Sequence, residues 1–244
     1  MLGARSMQTP QALNAAFASG RPHDVIVETL RFAGAKGILD VGCGEGRLVA
    51  RLIEEGFEAV GADPNPQVLE TARANAPGAR FADAGAEMLP FEDGGFDAVV
   101  FLNSLHHVPV GSMARALGEA RRIGREGGPV VIVEPLAEGS YFEAMQPVED
   151  ETAIRHAAGV AIADAVRAGW FGLKGNVVFA ATSRFANAEE FVASLIAVDP
   201  ARTASAERRR AEVERRFREC SQKDEGGFRL VQPLRIYWLA IQKN

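Results

Sequence analysis

The sequence is poor in the residues that make metal clusters and disulfide frameworks. Its 244 residues include two cysteines, Cys43 and Cys220, and four histidines. Two cysteines cannot staple a chain of this length, and no spacing matches a zinc site, so no metal centre is expected. That composition suits a reducing compartment, and the expected setting is the cytoplasm. Long apolar runs are missing too. No stretch of 18 uncharged apolar residues occurs, so no membrane span is expected. Met1–Gly20 lacks the apolar segment of a secretory signal, and Met7 is an alternative start. There is no basic excess either. A net charge of −5 argues against a nucleic-acid backbone as the main partner. What is present is ordinary for a globular chain: 47% hydrophobic and 24% charged residues, enough for a sizeable core.

Short apolar runs alternate with amphipathic stretches in the first half, the pattern of a parallel sheet flanked by helices. Strands are expected at 37–41, 57–62, 79–82, 96–102 and 129–133. Helices are expected at 48–55, after Pro66 with Asn65 as cap, and after Ser112, where Met113, Ala116, Leu117, Ala120 and Ile123 recur at helical spacing. Beyond Pro135 the rhythm changes. Helices are expected over 149–168, over 188–198 with Asn187 as cap, and over 204–220. Residues 177–181 read as a strand or a buried loop. An extended segment over 228–242, broken at Pro233, is expected to fill a sheet edge. Arg208-Arg209-Arg210 resembles a nucleic-acid patch. However, Arg208/Glu212, Arg210/Glu214, Glu212/Arg216 and Glu214/Arg218 are spaced i, i+4, which reads as a solvated helix face.

The most informative stretch is Ile38-Leu39-Asp40-Val41-Gly42-Cys43-Gly44-Glu45-Gly46. An apolar strand runs into alternating glycines and then a helix, which suits a nucleotide-like ligand at the carboxyl end of a strand. A dinucleotide fingerprint needs G-x-G-x-x-G, and Arg47 occupies the position where its last glycine would stand. Asp40 is poorly placed for a pyrophosphate and well placed for a cation.

This glycine stretch resembles motif I of the class I S-adenosylmethionine-dependent methyltransferases. The likeness continues at Asp63, at Asp83-Ala84, at Leu89-Pro90-Phe91, at Phe96-Asp97-Ala98-Val99, and from Asn103 to Val108. The last segment is similar to small-molecule methyltransferases of the ubiquinone-biosynthesis type. The likeness spans residues 35–135. It implies a Rossmann-like, doubly wound, mostly parallel seven-stranded α/β sheet with helices on both faces and a helical insertion after strand five. It implies S-adenosylmethionine as cofactor, contacted by Asp40, Gly42, Cys43, Gly44, Asp63, Pro64, Asp83, Ala84 and Asn103. Asp63 would take the ribose hydroxyls. Asp83 and the Ala84 amide would take the adenine.

Three residues are candidate bases: His106, His107 and Glu134. Tyr141, Phe142, His156, Trp170 and Phe171 are candidate walls of an acceptor pocket, and Arg21 and His23 are candidate cover residues. A single domain is expected, with an N-terminal helical cover (1–33), a cofactor core (35–135), an insertion over the substrate (136–200) and a C-terminal helix and strand (201–244). The expected partner is a small-molecule methyl acceptor, with no nucleic acid and no membrane, in a monomer or homodimer. Two other readings stand beside this one: a non-catalytic protein that binds S-adenosylmethionine or S-adenosylhomocysteine, and a nicotinamide-dependent oxidoreductase.

Overall fold

The structure is a computed structural model that describes residues 10–243; the alternative start at Met7 lies outside them. Two helices lead, α1 (Pro10–Ser19) and α2 (Pro22–Phe32). An alternating series follows: β1 (Gly37–Val41), α3 (Arg47–Glu54), β2 (Glu58–Asp63), α4 (Pro66–Asn75), β3 (Arg80–Asp83), β4 (Ala98–Leu102), α5 (Met113–Ile123) and β5 (Pro129–Pro135). The remainder is α6 (Ser140–Met145), α7 (Thr152–Arg167), β6 (Phe171–Phe185), α8 (Ala188–Val198), α9 (Thr203–Arg208), α10 (Arg210–Cys220), β7 (Gln222–Asp224) and β8 (Gly227–Ile241).

The strands form one sheet in the order β3-β2-β1-β4-β5-β8-β6, with β7 paired antiparallel to β8. It is the expected doubly wound sheet, with an eighth strand added by the short β7 hairpin. Neighbours among β1 to β5 are parallel. The chain winds outward through β2 and β3, then returns to the other side of β1 at β4. That reversal separates the loops after β1 and β4 and opens a crevice at the carboxyl edge, where open α/β sheets bind ligands.

The chain divides into two compact units. Unit one holds the described residues through Glu134, Ala157–Phe179, and those from Arg235 onward. Its core packs Leu39, Val99, Phe101, Val130 and Ile132 from the sheet with Leu117, Ala120 and Ile162 from helices. Full burial of such a side chain contributes about 1.5–3 kcal/mol relative to exposure. Unit two holds Pro135–His156 and Ala180–Leu234. Phe142, Phe185, Phe191, Phe217 and Leu230 build its core. Glu151 there is buried between two arginines, 2.6 Å from Arg155 and 2.5 Å from Arg202.

Local chemistry explains the helix starts. The Asn65 side chain accepts from the Gln67 and Val68 amides, and Asn187 accepts from Glu190. Both cap as expected, whereas Ser112 makes no side-chain cap bond. Several expectations need correction. Residues 177–181 are strand, the first of the two alternatives, within the fifteen-residue β6; Val177 and Val178 are exposed, so the buried loop is excluded and the insertion over 136–200 is helical only in part. The helix expected over 204–220 breaks at Arg209. Of the four i, i+4 pairs, Arg210–Glu214 forms at 3.0 Å, while Glu212 pairs with Arg209 and Arg216 with Glu143 and Glu219. β8 runs unbroken through Pro233, whose carbonyl accepts from the Leu136 amide at 3.0 Å. Among the described residues, no helix is long and apolar enough to cross a membrane.

Candidate active site at the carboxyl edge of the sheet

The loop from Gly42 to Gly46 is held from three sides. The Gly42 and Cys43 amides donate to the Ala62 carbonyl at 2.7 and 3.0 Å. The Ser104 hydroxyl, from the segment after β4, donates to the Val41 carbonyl at 2.6 Å. The Asp63 carboxylate accepts from the Gly44 amide at 3.0 Å and from the Asn65 amide at 2.9 Å. Two glycines here have different reasons. Gly42 has φ +72°, and a Cβ there would stand 2.5 Å from the Ser104 Cβ. Gly44 has φ +51°, yet a Cβ would meet nothing within 4 Å. Packing therefore demands glycine at 42, while the space beside Gly44 is open.

Asp40 sits on β1 just before this loop and is buried. Its Oδ1 is buried with no hydrogen-bond partner among the described residues. Backbone amides thus leave the acid incompletely satisfied, which a purely structural strand-end carboxylate would not tolerate cheaply. Burial, and then the neighbouring Asp63, push its carboxyl up to about 7. A cationic ligand group would relieve both stresses at once. Burial and the two acids also push the Cys43 thiol up, so Cys43 is no nucleophile.

At the end of β3, Asp83 is exposed and stands opposite Asp63 in register. The Ala84 amide donates to the Asp63 carbonyl at 3.2 Å. That corrects the expectation that this amide faces an adenine nitrogen, because strand pairing already uses it. Pro64 is exposed in the turn before α4. Asn103 has φ +51°, the one non-glycine with positive φ among the described residues, and its amide donates to the Val133 carbonyl at 2.8 Å. The strain falls where β4 ends and the chain turns beside the crevice.

The candidate bases are not equivalent alternatives. Glu134 is buried at the end of β5; one oxygen accepts from the Leu105 amide at 2.9 Å, and the other meets His106 Nδ1 at 2.5 Å. His106 is buried and His107 exposed, with ring centroids 4.1 Å apart. A carboxylate on Nδ1 fixes the imidazole orientation and leaves Nε2 as the basic nitrogen. The pairing spans 28 residues of sequence, and no motif announces it. Ser104 also escaped sequence reasoning, since a hydroxyl that braces a neighbouring loop has no spacing signature.

Arg21 pairs with Asp24 at 2.6 Å, and burial lowers the pKa of His23. Tyr141 packs against Phe185 and Phe191, and Phe142 lies beside them in the core of unit two. Phe171 is buried in the core of unit one, and Trp170 packs on it. His156 is exposed on α7.

A family model described as a methyltransferase domain matches residues 38–128. Residues 38–128 are thus similar to that family. An uncharacterized methyltransferase of Mycobacterium tuberculosis is 36% identical over 120 residues, 48% of this chain and 48% of that protein. A demethylmenaquinone methyltransferase of Thermus thermophilus is 39% identical over 114 residues, 43% of this chain and 51% of that one. The chain spans about half the length of the curated relatives it matches. The YcgJ protein of Bacillus subtilis shares the fold, with a TM-score of 0.62 at 15% identity over 97% of this chain and all of that structure. Within the matched residues lie β2 to β4, β1 from its second residue, the glycine loop, Asp40, Asp63 and His106. Glu134 and β8 lie beyond them.

Proposed function

We propose that the protein transfers the methyl group of S-adenosylmethionine to a small-molecule acceptor. The observation that carries this reading is the buried, partnerless Asp40 oxygen beneath a glycine loop with open space at Gly44. A pyrophosphate would be repelled by that acid; a ligand carrying ammonium and sulfonium charge is attracted. Asp63 keeps acceptor capacity beyond its two amide bonds and is positioned to hold a ribose diol. Asp83 supplies an exposed carboxylate for the adenine amino group. Cys43, Pro64, Ala84 and Asn103 shape the backbone around these acids.

When bound, the cofactor supplies a methyl group made electrophilic by its positive sulfur. That methyl carbon would be open to an acceptor's lone pair, with the displaced electron pair left on sulfur, so the chemistry would ask little of the protein beyond placing the two reactants. The enzyme's main task is alignment. Where the acceptor atom is a hydroxyl or protonated amine, His106 Nε2 takes its proton and Glu134 stabilises the imidazolium. A screen of small-molecule acceptors that detects S-adenosylhomocysteine release tests the reading. Tight cofactor binding with no turnover across a broad panel would make the protein a binder rather than an enzyme.

A further inference from the structure

The face of β8 beside Glu134 carries two polar side chains that the fold does not use. Ile241 donates to the Gly128 carbonyl at 3.0 Å, and Leu136 donates to the Pro233 carbonyl at 3.0 Å. These bonds lie equally far apart on β5 and β8, so the strands run antiparallel and in register between them. Arg235 therefore lies across from Glu134, and Tyr237 across from Ile132. Opposed residues share a sheet face, and Arg235 and Tyr237 share theirs about 7 Å apart. Tyr237 and Leu239 pack with Ile132 in the same core cluster, which agrees with that assignment.

Arg235 is half-buried, and its Nε is fully buried with no hydrogen-bond partner. Among the described residues its side chain makes no ion pair or hydrogen bond, and neither does the hydroxyl of the half-buried residue Tyr237. The acid nearest in register is already engaged, since both Glu134 oxygens are taken by Leu105 and His106. An Nε withdrawn from water without a partner is costly, and the guanidinium fork it belongs to matches a carboxylate. One unpaired positive charge balances one negative charge. A phosphate dianion would bring a second charge toward Glu134.

We propose that Arg235, with the Tyr237 hydroxyl beside it, is the subsite for a carboxylate on the methyl acceptor, so that the substrate is a small carboxylic acid. This rests on the methyl-transfer reading above. The acid would be oriented by its carboxylate at β8, next to the His106–Glu134 pair.

The test uses the full-length protein saturated with S-adenosylhomocysteine. Calorimetry measures binding of a panel of small aliphatic and aromatic carboxylic acids, each matched with its primary amide. The wild type should bind at least one acid about tenfold or more tighter than its amide, the scale of one charge-assisted hydrogen-bonded pair. Arg235→Met should erase that gap and Arg235→Lys keep part of it, with S-adenosylhomocysteine affinity unchanged in both. Equal binding of acid and amide across the panel, or a gap that survives in Arg235→Met, overturns the subsite. A wild type that fails to bind S-adenosylhomocysteine at all overturns the methyl-transfer reading instead, and the subsite with it.

Discussion

The Gly44 amide donates to Asp63 Oδ2 at 3.0 Å, so the acid that ends β2 fixes the loop that follows β1. One carboxylate thereby sets the loop's shape and presents its remaining lone pairs to the ligand. Asp63→Ala should leave the sheet folded and weaken S-adenosylmethionine binding by about 1.5–3 kcal/mol, the scale of hydrogen bonds to a charged group. Isothermal calorimetry showing wild-type affinity in the variant would sink the ribose assignment.

Gly42 and Gly44 should respond differently to alanine. At Gly42 the new methyl meets the Ser104 Cβ in a backbone with positive φ, so the variant should lose stability and displace the loop. At Gly44 the space is open, and the folding cost should be the left-handed backbone alone, about 1–2 kcal/mol. Gly44→Val should nonetheless abolish cofactor binding by filling the open space. Urea denaturation together with calorimetry separates the two effects; a Gly44→Val protein that binds normally would place the cofactor elsewhere.

Asp40 makes stability depend on pH in the unusual direction. Its carboxyl ionises at about 7 in the fold against an ordinary aspartate value of 3.8. Between those values the native state holds more protons than the unfolded one, so stability falls as pH rises and levels off above the folded value. The slope is at most about 1.4 kcal/mol per pH unit. Asp40→Asn should remove this decline, which denaturation midpoints measured across that range will show. An unchanged slope would mean that Asp40 titrates normally.

Glu134→Gln should lower methyl transfer to a hydroxyl acceptor by roughly 10²–10⁴-fold, the range for loss of general-base help, with cofactor affinity intact. His106→Gln should match it, because the two act as one unit. A rate unchanged in both variants would assign the pair to structure alone.

In unit two, Glu151→Gln should leave Arg155 and Arg202 buried without their shared carboxylate. Breaking a buried pair from one side costs about 3–5 kcal/mol. A denaturation midpoint equal to that of the wild type would contradict the network's role.

Legibility from sequence followed local chemistry. Asn65 and Asn187 are caps that a single residue type announces, and the helix over 188–198 was readable to the residue. The glycine loop was readable because strand, glycines and helix are contiguous. β6 was readable only at 177–181 and only as one of two alternatives, since as the last strand of the sheet it has one neighbour and is largely exposed, so its full length shows no apolar alternation. The break at Arg209 has no glycine or proline to mark it. At the site, His106 and Glu134 were visible as separate candidates, but their pairing arises from β4 and β5 lying side by side. The orphaned Asp40 oxygen is likewise a property of packing, and a sequence shows only that an acid is there.

Titration of S-adenosylmethionine into the purified protein across neutral pH is the most direct measurement. A cation seated at Asp40 favours the ionised carboxylate, so binding should release a proton. Saturable one-to-one binding is expected, tightening by up to about tenfold per unit as pH rises toward 7 and then levelling off. In Asp40→Asn the affinity should be weaker and flat with pH. Absence of saturable binding, or a pH profile identical in the wild type and Asp40→Asn, would contradict the assignment of the glycine loop and Asp40 to this cofactor.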